Sequence, residues 1–368
     1  RMNVIVIGAG NSGLAAAAHL SKEGDTVVLW NRSRETIAGL LTSGKIVLHG
    51  AIEGEYTIPL ITDDLEEALG FFEPQVILVT TPATSHRKLA ELLAKHFQGS
   101  CLIVLSPGRT FGALDFYNVF RKYNRPVRPQ IAETQTTIYP CRKTAQDAVH
   151  IIALKRNIPI STLNPRENHK VIHMLPKCLQ SHFVPAKSMI QTSLGNVGMI
   201  LHCAPLLLNT GWTESMSATY RYYYDGITPS IGRLLERIDA ERVEVSRQLG
   251  LEVETAVDWV KRTYRVEGNT LFECIQAVDA YKAIDAPTSL YHRYILEDVP
   301  FGLVPLEAVG KALGLEMRYT TLVIDLANAL LEEDFRATGR NLKSLLPQGE
   351  IETVMAFFMD EMEEKRDA

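Results

Sequence analysis

His202 lies in "GMILHCAPLLLN" (198–209), an apolar run with a proline three residues after the imidazole. Imidazole is the side chain whose unperturbed pKa, about 6.5, falls nearest neutral pH, so an enclosed histidine can move protons. It can equally be a core residue whose ring nitrogens are satisfied by neighbouring backbone. A carboxylate partner would favour the first role, and "HRYILEDVPFGLVP" (292–305) offers one, carrying Arg293, Glu297 and Asp298 ahead of Pro300 and Gly302. A carboxylate fixes the tautomer of an imidazole and stabilises its protonated form, which is what carbonyl or imine reduction asks of an acid–base pair. Sequence separation leaves open whether His202 and Asp298 meet.

A second chemistry is written at the other end of the chain. "NVIVIGAGNSGLAAAAHL" begins with a short apolar strand, Asn3 to Ile7, and passes through Gly8, Gly10 and Gly13 into an alanine-rich helix. The first glycine permits a tight turn, the second lets backbone approach a pyrophosphate, and the third lets helix and strand pack closely. Asn11 and Ser12 complete the turn, where the pyrophosphate would rest on free N–H groups at the positive end of the helix. A second strand, "TVVLW", follows at the expected distance. Its end reads Asn31, Arg32, Ser33 and Arg34, with no Asp or Glu to hold a ribose 2′-hydroxyl. Arginine there can receive a 2′-phosphate, which predicts NADP(H) as the preferred cofactor and NAD(H) as the alternative.

Elements able to position these groups follow in order. "QVILVTTPATSH" and "CLIVLSPGRTFGA" are buried strands ending in turns, and ligands of such sheets bind at the carboxyl ends of strands. Thr81, Pro82, Gly108 and Arg109 are therefore candidate walls of the cofactor cleft, although each also suits plain turn chemistry. "PQIAETQTTIYPCR" adds a strand and loop, and "KIVLHGAIEGEYTIPLI" alternates like an inserted hairpin. From about Pro185 the strand pattern stops. "TPSIGRLLERIDAERVEVSRQLG" predicts an amphipathic helix capped by Thr228, with Pro229 first and Gly250 ending it. "VPLEAVGKALG", "LVIDLANALLEEDFRATG" and the closing "EIETVMAFFMDEMEEKRDA" read as helices too. Tyrosines concentrate at "YRYYYDG" (220–226), a pattern of core packing that can also line a pocket.

The expected fold class is an α/β Rossmann domain with a largely parallel, doubly wound sheet over residues 1–184, then an all-α domain over 185–368. In 368 residues, 46% apolar and 22% charged, a net charge of −5 gives no broad basic surface for nucleic acid. Five cysteines without paired or zinc-ligand spacing predict a reducing compartment, no disulfide framework and no metal. No signal peptide and no membrane span are read, so a cytoplasmic protein is expected.

Six stretches taken together, "GAGNSG", "SPGRTFGA", "AETQTTIYPCR", "LHCAPLLLNTG", "DGITPSIGRLLERIDAER" and "HRYILEDVPFGLVPL", resemble the NAD/NADP octopine dehydrogenase family, the opine dehydrogenases. The resemblance covers essentially the whole chain. It implies an enzyme that joins the amine of an amino acid to a 2-oxo acid such as pyruvate and reduces the imine with NAD(P)H, in a site between a Rossmann and a helical domain. Carried over by position, it makes His202 the catalytic histidine and Asp298 its partner. It gives Arg293 the oxo-acid carboxylate, and places Asn196, Thr134, Gln135 and Cys141 on the pocket wall. One departure is Cys203, where members often carry a second proline in "HPAP". Two other readings stay open: a simple 2-oxo-acid reductase of the ketopantoate or glycerol-3-phosphate dehydrogenase type, and a non-catalytic NADP-binding sensor. A homodimer also stays open.

Overall fold

The structure, a computed structural model, describes residues 1–347 apart from Gln98 and Met216. The expected closing helix over 350–368 lies outside the described residues. The chain divides into two units between Thr192 and Ser193.

Apolar runs without alternation build the centre of the main sheet in the first unit. Its strands are β1 (Asn3–Ile7), β2 (Thr26–Trp30), β3 (Lys45–Gly50), β4 (Gly54–Thr57), β5 (Leu60–Thr62), β6 (Val76–Val79), β7 (Leu102–Leu105), β8 (Gln130–Thr134), β9 (Cys141–Ala145), β10 (Ala148–Ile151), β11 (Ile158–Thr162) and β12 (Phe183–Pro185). Every residue of β6 and β7 is buried, as a parallel sheet covered on both faces requires. The main sheet runs β5-β2-β1-β6-β7-β8-β11-β12. Its first six strands are parallel, in register Val4 with Val27 and with Val76, and β11 joins antiparallel to β8. Counted along the chain, those six have the order 3-2-1-4-5-6 of a dinucleotide-binding sheet. The switch of direction falls between β1 and β6, beside the glycine turn.

The inserted segment is more than a hairpin. β3 and β4 pair antiparallel as expected, but β10 adds parallel to β3 and β9 antiparallel to β10, giving a second sheet in the order β4-β3-β10-β9. The helix Asn11–Lys22 packs on β1 and β2 and also against β3, β4, β9 and β10. Ala15, Ala16, Ala17 and Ala18 are fully buried around it. A helix enclosed on opposite sides must be apolar all round, and alanine lets both sheets approach.

The named elements of the second unit are helical. Gly198–Leu208 is its central helix, touching Tyr222–Gly226, Pro229–Gln248, Arg293–Leu296 and Arg318–Leu331. Pro229–Gln248 begins where Thr228 accepts a hydrogen bond from the Ile231 N–H, and Gly250 follows its end at φ +100°. Its buried stripe includes three polar residues that its apolar pattern did not suggest, Asp239, Arg242 and Ser246. Arg242 is fully buried, bonded to Asp239 at 2.9 Å and to the carbonyls of Leu194 and Glu254. The helix read through "LVIDLANALLEEDFRATG" instead stops at Leu331, because Glu332 turns left-handed (φ 52°), and a short helix, Phe335–Thr338, follows.

Candidate functional site

In the first unit two glycines of the turn leave no room for a side chain. A Cβ on Gly13 would lie 1.7 Å from the Gly8 carbonyl, and Gly8 has φ +106° with Thr80 Oγ1 2.8 Å from where its Cβ would be. Gly10 differs: a Cβ there would meet nothing within 4 Å. No side chain caps the helix that starts at Asn11. Open space thus faces N–H groups of Asn11, Ser12 and Gly13, a cradle that fits a pyrophosphate.

Asn31 holds the turn from β2. Its Oδ1 accepts from the Ala9 N–H at 3.0 Å, and its Nδ2 donates to the Ser33 carbonyl at 3.0 Å. Ser33 Oγ accepts from the Thr36 N–H. Arg32 is exposed and without an ion-pair partner among the described residues, whereas Arg34 pairs with Asp63 at 3.2 Å. Arg34 is therefore a less available cation than sequence suggested. Thr81 and Pro82 follow β6, with the Thr81 hydroxyl accepting from Ser85 at 2.7 Å. Gly108 and Arg109 follow β7, and a Cβ on Gly108 would press within 2.6 Å of Glu133 Cβ. These residues all gather at the carboxyl ends of β1, β2, β6 and β7.

Thr134, Gln135 and Cys141 belong to the first unit. Thr134 is fully buried, its hydroxyl bonded to Ser106 Oγ and the Thr136 carbonyl. Gln135 is tied through its N–H to the Pro159 carbonyl. Burial pushes the pKa of the Cys141 thiol up to about 11, offset in part by nearby Ser12 of the glycine turn. That places Cys141 on the phosphate side of the first unit.

The second unit answers the question raised by His202. Its Nδ1 lies 2.8 Å from Asp298 Oδ2, across 96 residues of sequence, with Asp298 3% and His202 19% exposed. A buried carboxylate accepts, so in the neutral ring Nδ1 carries the proton and Nε2 the lone pair. The Tyr223 hydroxyl stands 3.3 Å from that Nε2, and the Tyr294 ring stacks on the imidazole at 4.0 Å. Burial raises the pKa of Tyr223 far above neutrality, so its hydroxyl is a donor and acceptor and not a base.

The surrounding backbone is irregular for identifiable reasons. Pro205 has no N–H to give the Leu201 carbonyl, four residues earlier. The Tyr222 hydroxyl lies 2.8 Å from that carbonyl and 2.7 Å from the His202 carbonyl. Asp298 precedes a π-helical turn, Val299–Leu303. Gly302 lets this turn approach, since a Cβ there would meet Met199 Cβ at 3.0 Å. Cys203 is buried and its thiol donates to the Tyr294 backbone carbonyl at 3.4 Å.

Asn196 and Arg293 complete this group. Asn196 Oδ1 accepts from the Gly198 N–H at 2.9 Å, one turn before His202. A Cβ on Gly198 would come 3.4 Å from His202 Nδ1. Arg293 is exposed, 5.6 Å from the Tyr294 ring centre, and no carboxylate among the described residues pairs with it. His292 beside it is held below the usual histidine range by burial, then by the charges of Arg293 and His202. The tyrosines at His202 escaped the sequence reading, although the dense run at 220–226 marked the place.

Comparisons with known proteins match two separate stretches of the chain. Residues 185–331 match the family described as NAD/NADP octopine/nopaline dehydrogenase, alpha-helical domain, and residues 4–106 match ketopantoate reductase PanE/ApbA. The opine dehydrogenase of Arthrobacter sp. (strain 1C) is 33% identical over 341 residues, 92% of this chain and 94% of that protein. The structure of octopine dehydrogenase with NADH and agmatine is similar in fold, with a TM-score of 0.79 at 17% identity, covering 96% of this chain and 98% of the other. That of yersinopine dehydrogenase with NADP+ bound gives a TM-score of 0.75 at 16% identity, covering 98% of each chain. Among the described residues no helix is long and apolar enough to cross a membrane. Identity at this level over nearly the full length of both chains means that the protein belongs to the octopine/nopaline dehydrogenase family, the opine dehydrogenases.

Proposed function

We propose that the protein is an opine dehydrogenase preferring NADPH, which condenses the amine of an amino acid with a pyruvate-like 2-oxo acid and reduces the imine. Residues 1–184 would bind the dinucleotide and residues 185–368 would carry the acid–base chemistry. The observation that carries this reading is the His202–Asp298 pair at 2.8 Å, with Nε2 turned toward a hydroxyl.

The amine attacks the oxo-acid carbonyl to give a carbinolamine, and loss of water gives the imine. His202 takes the ammonium proton at Nε2, freeing the amine lone pair, and returns a proton to the departing hydroxyl. Asp298 keeps Nδ1 protonated in the neutral ring and offsets the charge of the imidazolium. Arg293 receives the oxo-acid carboxylate by a charge-assisted contact, and Asn196, Thr134, Gln135 and Cys141 are assigned to substrate binding by family position. The cofactor would be held by Gly8, Gly10, Asn11, Ser12, Gly13, Asn31, Arg32, Ser33, Thr81, Pro82, Gly108 and Arg109. Bound NADPH supplies the hydride. Exposed Arg32 and the absence of an acid after β2 support the 2′-phosphate; the folds similar to this one include both NADH and NADP+ complexes and support a nicotinamide dinucleotide of either kind.

The test is NADPH oxidation with a panel of amino acids against pyruvate, glyoxylate and 2-oxobutyrate. Turnover that requires both partners and yields the N-(carboxyalkyl) amino acid is expected. Oxidation by oxo acid alone would make it a simple reductase, and NADPH binding without any turnover would make it a sensor.

A further inference from the structure

Strand β9 is the outer strand of the smaller sheet, and its pleat sets Cys141 and Lys143 on one face with Arg142 and Thr144 exposed on the other. Lys143 meets the glycine turn at two points. The Lys143 N–H donates to Asn11 Oδ1 at 3.1 Å, and the Lys143 ammonium donates to the Ala9 carbonyl at 3.2 Å. The N–H of that same Ala9 is held by Asn31.

We infer that Lys143 is a phosphate-binding residue of the dinucleotide site, which makes the inserted sheet one wall of the cofactor cradle. An ammonium has three donors, and the Ala9 carbonyl accounts for one. The side chain is half-buried, and no carboxylate among the described residues forms an ion pair with it. Burial lowers its pKa below the usual lysine range, which is the signature of a positive charge taken partly out of water without an anion beside it. Charges in that condition are completed by a counter-charge. The uncapped helix start at Asn11 and the open space before Gly10 give an anion a place next to Ala9. A dinucleotide offers two anionic groups, the pyrophosphate and, in NADP(H), the ribose 2′-phosphate.

The inference rests on dinucleotide binding and not on the identity of the amine or oxo acid. Lys143→Gln tests it, because glutamine can still donate to the Ala9 carbonyl but carries no charge. Dissociation constants of NADH and NADPH would be measured by nucleotide fluorescence on the full chain, at low and high salt. The expected result is affinity about tenfold weaker at low salt, about 1.4 kcal/mol, with the difference from wild type shrinking as salt screens the contact. Lys143→Arg should retain most of the affinity. Equal losses for both dinucleotides put the charge on the pyrophosphate, and a loss confined to NADPH puts it on the 2′-phosphate. Unchanged affinities in Lys143→Gln overturn the inference, as does a salt-independent loss that arginine does not restore. Wild-type protein binding neither dinucleotide would overturn the cofactor reading itself.

Discussion

Replacing Asp298 with asparagine removes one charge from the imidazole while changing almost no volume. The carboxylate lies 2.8 Å from Nδ1 and is 3% exposed, so little water competes for it. Two unit charges about 4 Å apart attract by about 4 kcal/mol at an effective dielectric constant of about 20. Hydrogen bonds to charged groups contribute about 1.5–3 kcal/mol net. Where proton transfer by His202 limits turnover, a loss of about 2–4 kcal/mol of imidazolium stabilisation is a fall of about 30- to 1000-fold in kcat. Asparagine can also turn its NH2 toward Nδ1, moving the ring proton to Nε2 and blocking proton uptake there. The assay is single-turnover NADPH oxidation with saturating amine and pyruvate, alongside the NADPH dissociation constant and the melting temperature, both expected near wild type. His202→Asn combined with Asp298→Asn should be little worse than the poorer single variant, because groups acting as one unit are not additive. A loss in kcat under about threefold, or fully additive losses, would refute the dyad.

Three further outcomes are expected. Arg32→Ala should weaken NADPH by about tenfold or more, the range of a charge-assisted contact, and leave NADH nearly unchanged; equal losses would remove Arg32 from the 2′-phosphate. Arg293→Lys should raise KM for the oxo acid about tenfold without altering NADPH affinity, since lysine cannot reproduce a bidentate contact, and a change in stability alone would mean a structural cation. His19, buried against the Tyr139 hydroxyl at 2.7 Å, has its pKa lowered by burial to about 4 from 6.5; the unfolded chain therefore binds its proton first, and stability should fall by about 3 kcal/mol as pH drops from about 6.5 to about 4. Urea midpoints of wild type and His19→Gln across that range would read the difference, with parallel curves counting against it.

The dinucleotide turn was legible because its demands are steric and local. Only glycine fits where a Cβ would stand 1.7 Å from a carbonyl, and the flanking strand and helix are contiguous with it. The six-strand parallel order follows from apolar runs separated by helical stretches. The second sheet was not legible, since β3 and β10 pair about a hundred residues apart and neither strand names its partner. Lys143 looks like an ordinary outward lysine on a short polar strand until that pairing places it on Ala9. Arg242 sits in a helical stripe that composition would fill with an apolar residue, and its three partners come from separate segments. Glu332 breaks a helix at a left-handed position where glycine would have been the readable signal.

At His202 the residue types were readable but the reason for their arrangement was not. Each local oddity there compensates another. Pro205 costs the central helix a hydrogen bond, and Tyr222 meets the released carbonyl; this brings a tyrosine pair to the imidazole, because Tyr223 follows in the same turn. The π-turn after Asp298 approaches the same helix through Gly302 and leaves the carboxylate on Nδ1. The Cys203 thiol donates to the backbone carbonyl of Tyr294, whose ring stacks on the histidine. A core that needed only stability would have no use for a proline, a π-turn and a buried carboxylate around one histidine, since each departs from the least costly local structure. Their concentration on one imidazole, with Nε2 facing a hydroxyl, is what the proposed proton transfer at His202 would require.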